Sequence, residues 1–166
     1  RNGTKWGLLT GFVYAVVQML LGFKTVSAFF MPGSDSYMVL WKAVCVCLID
    51  YIIAYTVLGL GGIFRNKIKN PSVSLCVGSI FALSLRYIAH IISGFIFFGT
   101  WADWFFSQDG FTLGAKILEK FSGQGLAFLY SVIYNGLYMI PEIIITAIVA
   151  LIIGRVPQIS GRKNTK

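Results

Sequence analysis

The sequence has little charge for its length. Only 12% of its 166 residues are Asp, Glu, Lys or Arg, whereas soluble domains carry about 25%. Six residues are acidic, one is a histidine, 57% are hydrophobic, and the mean hydropathy is +0.77. Such a chain has too few polar groups to cover a water-exposed surface. The composition therefore excludes a water-soluble globular protein and predicts an all-α integral membrane protein.

The sequence also lacks the residue sets that catalysis or metal binding would need. Its three cysteines, Cys45, Cys47 and Cys76, lie in or beside apolar segments and complete no zinc site with the single histidine. We interpret them as small packed residues and expect no structural disulfide. No catalytic triad and no phosphate-binding loop motif is found. The sequence predicts a protein that is not an enzyme and uses no metal or cofactor.

The net charge of +8 does not indicate nucleic acid as a partner. The basic residues lie in short connectors between apolar runs and not along one amphipathic face. No Pro/Ser-rich or charged linker divides the chain. We therefore expect one transmembrane domain over residues 1–166.

Four apolar runs are long enough to cross a hydrocarbon core of about 30 Å. They span residues 6–23, 38–64, 72–99 and 126–154. The connector 100–125 combines Trp and Phe with acids and predicts an interfacial loop or short amphipathic helix. The polar, basic tail from Arg155 is expected to be disordered. Small residues at four-residue spacing predict close helix packing within the chain at Gly7, Gly11 and Ala15.

The connectors differ in charge. Segments 1–5, 65–69 and 155–166 together hold nine Lys or Arg and no acid, whereas the other two connectors hold three Lys and four acids. The positive-inside rule predicts that the first set is cytoplasmic. We therefore expect residues 1–5 and 155–166 on the cytoplasmic side of a bacterial cytoplasmic membrane.

Four polar residues are predicted to lie at a similar depth in the bilayer. Arg86 and His90 are four residues apart in an otherwise apolar run, so they share one helix face. Counted from the outer end of each span, Asp50, Arg86, His90 and Asn135 lie about 9 to 13 residues in, which is roughly 13 to 20 Å at about 1.5 Å per residue. Ionisable groups at such depth face a bundle interior or a watery cavity. The sequence predicts a buried site that opens to the outside.

The roles of these groups stay open at this point. Asp50 is either a structural partner for Arg86 or the counter-charge for a cationic ligand. We interpret Glu142 as a structural partner at the interruption that Pro141 makes in the helix hydrogen bonding. Most aromatics of the outer half are predicted to be packing or belt residues, with a minority stacking on a ligand ring: Tyr51, Tyr55, Tyr87, Phe97, Phe98, Trp101, Tyr130 and Tyr134.

Three motifs carry a resemblance to a known family. They are the run from Asp50-Tyr51 to Arg65, the run Arg86-Tyr-x-x-His90 with Gly94 and Phe98 after it, and Tyr130-Ser followed by Asn135-Gly136. Their order and spacing resemble the thiamine-specific substrate-binding subunit of energy-coupling-factor transporters. The resemblance covers nearly the whole chain.

This resemblance implies a six-helix membrane protein, with four of the helices in this chain and two N-terminal ones outside it. Such a subunit lies in the lipid bilayer and captures thiamine from outside. It then delivers thiamine through a shared transmembrane coupling subunit and two ATPases. The implied ligand contacts are Asp50, Tyr51, Arg86, His90, Gly94, Tyr130 and Asn135. Phe98 stands where the family's ring-stacking Trp is expected, with Trp101 as a possible substitute, and Asp50 is Glu in some members.

Thiamine suits these residues, since Asp50 would balance its thiazolium charge and His90 and Asn135 would bond its aminopyrimidine. Two other functions remain open. One is the same transporter class with another vitamin or a thiamine precursor as ligand. The other is a standalone secondary transporter that couples to protons through His90 and Asp50.

Overall fold

The computed structural model describes residues 3–156, and within them it contains helices and turns but no strand. We number seven helices in chain order. They are α1 (Thr4–Leu21), α2 (Phe23–Ala28), α3 (Leu40–Phe64), α4 (Pro71–Phe97), α5 (Ala102–Phe106), α6 (Gly114–Lys120) and α7 (Gly123–Ile153). A short 3-10 turn, Gly99–Trp101, leads into α5.

Helices α1, α3, α4 and α7 are long and apolar enough to cross a membrane. They have 18 to 31 residues and hydropathies between 1.2 and 2.3. Their ends lie within about three residues of the predicted spans, as is usual for helix boundaries. The prediction of an all-α membrane protein is confirmed.

Helix α3 changes its pitch along its length. It is α-helical over Leu40–Val46, π-helical over Cys47–Ile53, α-helical again over Ala54–Thr56, and 3-10 over Val57–Phe64. A π-helix is wider than an α-helix and a 3-10 helix is tighter. The middle of α3, Cys47–Ile53, is thus locally widened, and its C-terminal part, Val57–Phe64, is narrowed.

The narrowed part of α3 packs against both neighbours through glycines. A Cβ on Gly7 of α1 would lie only 2.6 Å from the carbonyl oxygen of Gly59. On the other neighbour, a Cβ on Gly78 of α4 would likewise collide with the carbonyl oxygen of Gly61. The prediction of close packing within the chain is confirmed, since two further small residues of the α1 face are also buried: Gly11 and Ala15.

The connector between α4 and α7 covers the N-terminal part of α7. It forms the short helices α5 and α6, which fits the predicted amphipathic segment. Phe106 of α5 is 1% exposed and packs with Leu126 and Tyr130 of α7. Helix α7 continues through Pro141 to Ile153 without ending. The disorder predicted for the tail falls mainly on residues 157–166, outside the described part of the chain.

Candidate functional site

The π-helical segment of α3 presents Asp50 to one face of α4. Asp50 Oδ1 lies 2.8 Å from His90 Nδ1, and Asp50 Oδ2 accepts a hydrogen bond of 2.7 Å from Ser93 Oγ. His90 and Ser93 are three residues apart, so they lie on the same side of α4. Both carboxylate oxygens are therefore held by α4, and the Asp50 side chain keeps 20% of its surface exposed.

Helix α7 adds Asn135 to this arrangement. Its Nδ2 donates hydrogen bonds to the backbone oxygens of Ser131, at 2.8 Å, and His90, at 3.3 Å. Its Oδ1 accepts a hydrogen bond of 2.5 Å from the hydroxyl of Tyr138. Asn135 is buried, and its amide orientation follows from these partners. The amide thus joins α7 to α4 at the level of His90.

Arg86 lies one helical turn before His90 and bonds to three different groups. Its Nη1 forms an ion pair of 2.7 Å with Glu142 Oε1 of α7. Its Nη2 donates to the Tyr55 hydroxyl at 3.3 Å, and the guanidinium lies 4.5 Å from the centre of the Tyr55 ring. Its Nε donates to His90 Nε2 at 3.3 Å.

These contacts correct one of the two roles considered for Arg86. The alternative that Arg86 is the salt-bridge partner of Asp50 is wrong, because its carboxylate partner is Glu142. The reason is the level on α4: Asp50 lies beside His90 and Ser93, whereas Glu142 lies beside the preceding turn. Glu142 thus has the Arg86 guanidinium as its partner, whereas its role at the Pro141 interruption stays an interpretation. A ligand contact by Arg86 stays a prediction.

The partners of the two His90 ring nitrogens assign its proton by geometry. Nε2 accepts from the Arg86 guanidinium, so the ring proton belongs on Nδ1, which then donates to Asp50. This is the neutral imidazole. Asp50 is thus bonded to two neutral donors, His90 and Ser93, while the charge of Arg86 is balanced by Glu142.

A cavity of about 450 Å³ opens at these residues, within the usual size range of small-molecule sites. Its wall includes all the residues that the sequence singled out as ligand contacts: Asp50, Tyr51, Arg86, His90, Gly94, Phe98, Tyr130 and Asn135. The structure therefore brings together, in one place, residues from α3, α4 and α7.

Seven further wall residues were not singled out as contacts: Thr25, Phe29, Ser36, Val46, Tyr55, Tyr134 and Tyr138. One sequence signal was available, because Tyr130, Tyr134 and Tyr138 recur at four-residue spacing and so share a face of α7. The residues before α3 offered no such signal, since their position depends on how the connector after α1 folds back.

Trp101 lines a different cavity. This neighbouring cavity of about 640 Å³ also contains Trp104 and Lys42, and it shares Phe98 with the first. Phe98 packs edge-on against Phe29, with ring centres 6.2 Å apart. Of the two aromatics considered for stacking, Phe98 is the one at the wall of the Asp50 cavity.

The sequence of the chain is similar to sequences of known proteins. Residues 1–107 match the family model described as thiamine transporter protein (Thia_YuaJ). The thiamine transporter ThiT of Bacillus subtilis (strain 168) is 31% identical over 158 residues, which cover 90% of this chain and 65% of that protein. The chain thus spans slightly less than two thirds of this relative. No solved structure gave a significant match.

Proposed function

Since the chain belongs to the thiamine transporter protein family, we propose that it binds thiamine in the cavity around Asp50 and serves thiamine uptake. The observation that carries the proposal is the Asp50 carboxylate, which lies on the cavity wall and is bonded to neutral donors. Thiamine has a fixed positive charge on its thiazolium ring. In a site of low dielectric, a carboxylate without a cationic partner favours such a charge strongly.

The rest of the wall suits the two rings of the ligand. Phe98 and the tyrosines offer aromatic surfaces on which planar or cationic rings stack. The polar groups of an aminopyrimidine need donors and acceptors. The hydroxyls of the wall tyrosines and the second lone pair of Asn135 Oδ1 can supply them. The proposal includes binding without chemistry, because the family is one of transport proteins.

We further propose that the protein is the substrate-capture subunit of an energy-coupling-factor transporter. A transmembrane coupling subunit and two ATPase subunits would then supply the energy and release the vitamin inside. The motifs around Asp50, His90 and Asn135 support this assignment. The positive-inside rule supports a bacterial cytoplasmic membrane with the connector 65–69 in the cytoplasm and the Asp50 cavity open to the outside.

Titration calorimetry of the purified protein in detergent tests the binding site. Thiamine should bind to the wild type, and Asp50→Asn should weaken binding by roughly 10- to 100-fold, because a hydrogen-bonded charge contributes about 1.5 to 3 kcal/mol. Asp103→Asn is the matched control, since Asp103 is an exposed acid of α5. Unchanged affinity in Asp50→Asn would overturn the proposed role of the carboxylate. A wild type that does not bind thiamine would overturn the proposal that thiamine is the ligand.

Uptake into vesicles tests the energy source. Accumulation should need the coupling subunit, the ATPases and ATP. Uptake by the protein alone, driven by a proton gradient, would instead favour a secondary transporter that uses His90 and Asp50. Competition by another vitamin or by the isolated pyrimidine, if stronger than competition by thiamine itself, would change the ligand but keep the transporter class.

A further inference from the structure

Of the two acids in the membrane-spanning helices, Glu142 pairs with Arg86, whereas Asp50 is bonded to His90 and Ser93. We propose that Glu142 is a positioning residue that sets the charge preference of the cavity. By holding Arg86, it keeps Asp50 free to balance a cationic ring. The inference rests on the proposed binding of a cation beside Asp50, and it adds a role for a residue that does not line the cavity.

Glu142 contacts the Arg86 guanidinium without lining the cavity. Arg86 lines the cavity, whereas Glu142 reaches Nη1 from α7 and keeps 37% of its side-chain surface exposed. Tyr55 fixes the same guanidinium by a hydrogen bond and by contact with its ring. Arg86 is therefore pulled towards α7 by a charged partner that a ligand in the cavity would not touch.

A single imidazole ring separates Arg86 from Asp50. Arg86 Nε lies 3.3 Å from His90 Nε2, and His90 Nδ1 lies 2.8 Å from Asp50 Oδ1. Asp50 and Glu142 are the only acids in the four long helices, according to the sequence. If Glu142 loses its charge, Asp50 is the remaining carboxylate in these helices with which the Arg86 guanidinium can pair.

The net charge of the site follows directly. With Glu142 ionised, Arg86 and Glu142 cancel, His90 is neutral, and the Asp50 charge remains. Without the Glu142 charge, Arg86 and Asp50 cancel, and the site is neutral towards a ligand. Because charges interact strongly away from water, this change should weaken binding of a cation and leave binding of an uncharged ligand of the same shape nearly unchanged.

The test compares thiamine with an uncharged analogue in which a thiophene ring replaces the thiazolium. The readout is the ratio of the two Kd values in wild type, Glu142→Gln and the double variant Arg86→Gln/Glu142→Gln. Glu142→Gln should lower the preference for thiamine about tenfold or more. The double variant should restore the ratio to within about threefold of wild type, since it again leaves Asp50 as the uncompensated charge.

A purely structural role of Glu142 gives a different result. Joining α4 to α7 would matter equally for both ligands, so both affinities would fall together and the ratio would stay constant. That outcome, or a lowered ratio that the double variant does not restore, would overturn the inference. The proposed binding of thiamine fails if the wild type does not bind thiamine, so the two failures are distinguishable.

Arg86→Gln alone provides a second measurement if Glu142→Gln does not fold. This variant leaves the charges of Asp50 and Glu142 without a balancing cation. The preference for thiamine over the uncharged analogue should therefore rise above that of wild type. A ratio that stays the same or falls would contradict the proposed division of charge.

Discussion

Two segments of α3 differ in helix type and in how closely they pack against their neighbours. The π-helical segment Cys47–Ile53 is wide and presents Asp50 and Tyr51 to a cavity. The 3-10 segment Val57–Phe64 is narrow, and its glycines touch the backbones of α1 and α4. The segment Cys47–Ile53, called the wide end below, thus leaves space for a ligand. The segment Val57–Phe64, called the narrow end, leaves none between the helices.

The two ends also differ in what holds them. At the wide end, hydrogen bonds from His90 and Ser93 fix a carboxylate in place. At the narrow end, close backbone contact provides dispersion and weak Cα–H···O interactions, which are typical of helices packed through small residues in membranes. We therefore expect substitutions at the narrow end to change folding and substitutions at the wide end to change binding.

The largest effect is expected at the narrow end, for Gly59→Ala. Its Cβ would collide with the backbone of Gly7, which cannot move without shifting α1. We expect a loss of about 3 kcal/mol or more of stability, seen as a lower melting temperature or as aggregation in detergent. Gly62→Ala is the matched control in the same segment, because its Cβ would be 3.9 Å from the nearest atoms of Thr4. Equal melting temperatures for the two variants would contradict the glycine contact.

Gly94 of α4 lines the cavity beside the wide end of α3. Its substitution Gly94→Ala should weaken ligand binding more than it affects folding. The added Cβ would collide with Ser131 Oγ and lie 3.1 Å from Asn135 Nδ2. Displacing the Asn135 amide should cost about tenfold in thiamine affinity, measured by calorimetry. Removing the hydroxyl as well, in Gly94→Ala/Ser131→Ala, should recover part of the loss. A variant with full affinity would mean that Gly94 is not needed for close packing here.

An intermediate effect is expected for the aromatic wall. Phe98→Ala should weaken thiamine binding by about fivefold, since an aromatic pair contributes about 0.5 to 1.5 kcal/mol. Trp101→Ala should change the affinity by less than about twofold, because Trp101 lines the neighbouring cavity. The reverse order in calorimetry would identify Trp101 as the stacking residue and would imply that the ligand extends into the second cavity.

Depth in the bilayer predicted part of this site, and the family resemblance supplied the rest. A helix rises about 1.5 Å per residue whatever its neighbours are, so the distance of Asp50, His90 and Asn135 from the ends of their spans could be counted. The span ends followed in the same way from apolar length. These properties belong to each helix separately, and they were sufficient to predict that these polar residues lie at one level. The resemblance added other residues of the cavity wall: Tyr51, Gly94, Phe98 and Tyr130.

The partner of Arg86 depended on information that a single helix does not contain. Whether Asp50 or Glu142 faces the guanidinium is decided by the rotation of α3 and α7 about their axes and by their vertical offset from α4. The π-helical and 3-10 segments change the rotation of α3 about its axis. No pattern of residues in the sequence predicted these segments. The sequence therefore located the charges but not their pairing.

The smallest predicted effect concerns the Asn135 amide, through Tyr138→Phe. The hydroxyl donates a hydrogen bond of 2.5 Å to Asn135 Oδ1, whereas Asn135 Nδ2 remains held by the Ser131 backbone. Losing one of these restraints should weaken thiamine binding about two- to fivefold, for a hydrogen bond of roughly 0.5 to 1 kcal/mol. Tyr134→Phe is the control, because the Tyr134 hydroxyl bonds to no group among residues 3–156. If both variants weaken binding equally, the tyrosine hydroxyls bond to the ligand directly. The hydrogen bond from Tyr138 would then not be needed to orient the Asn135 amide.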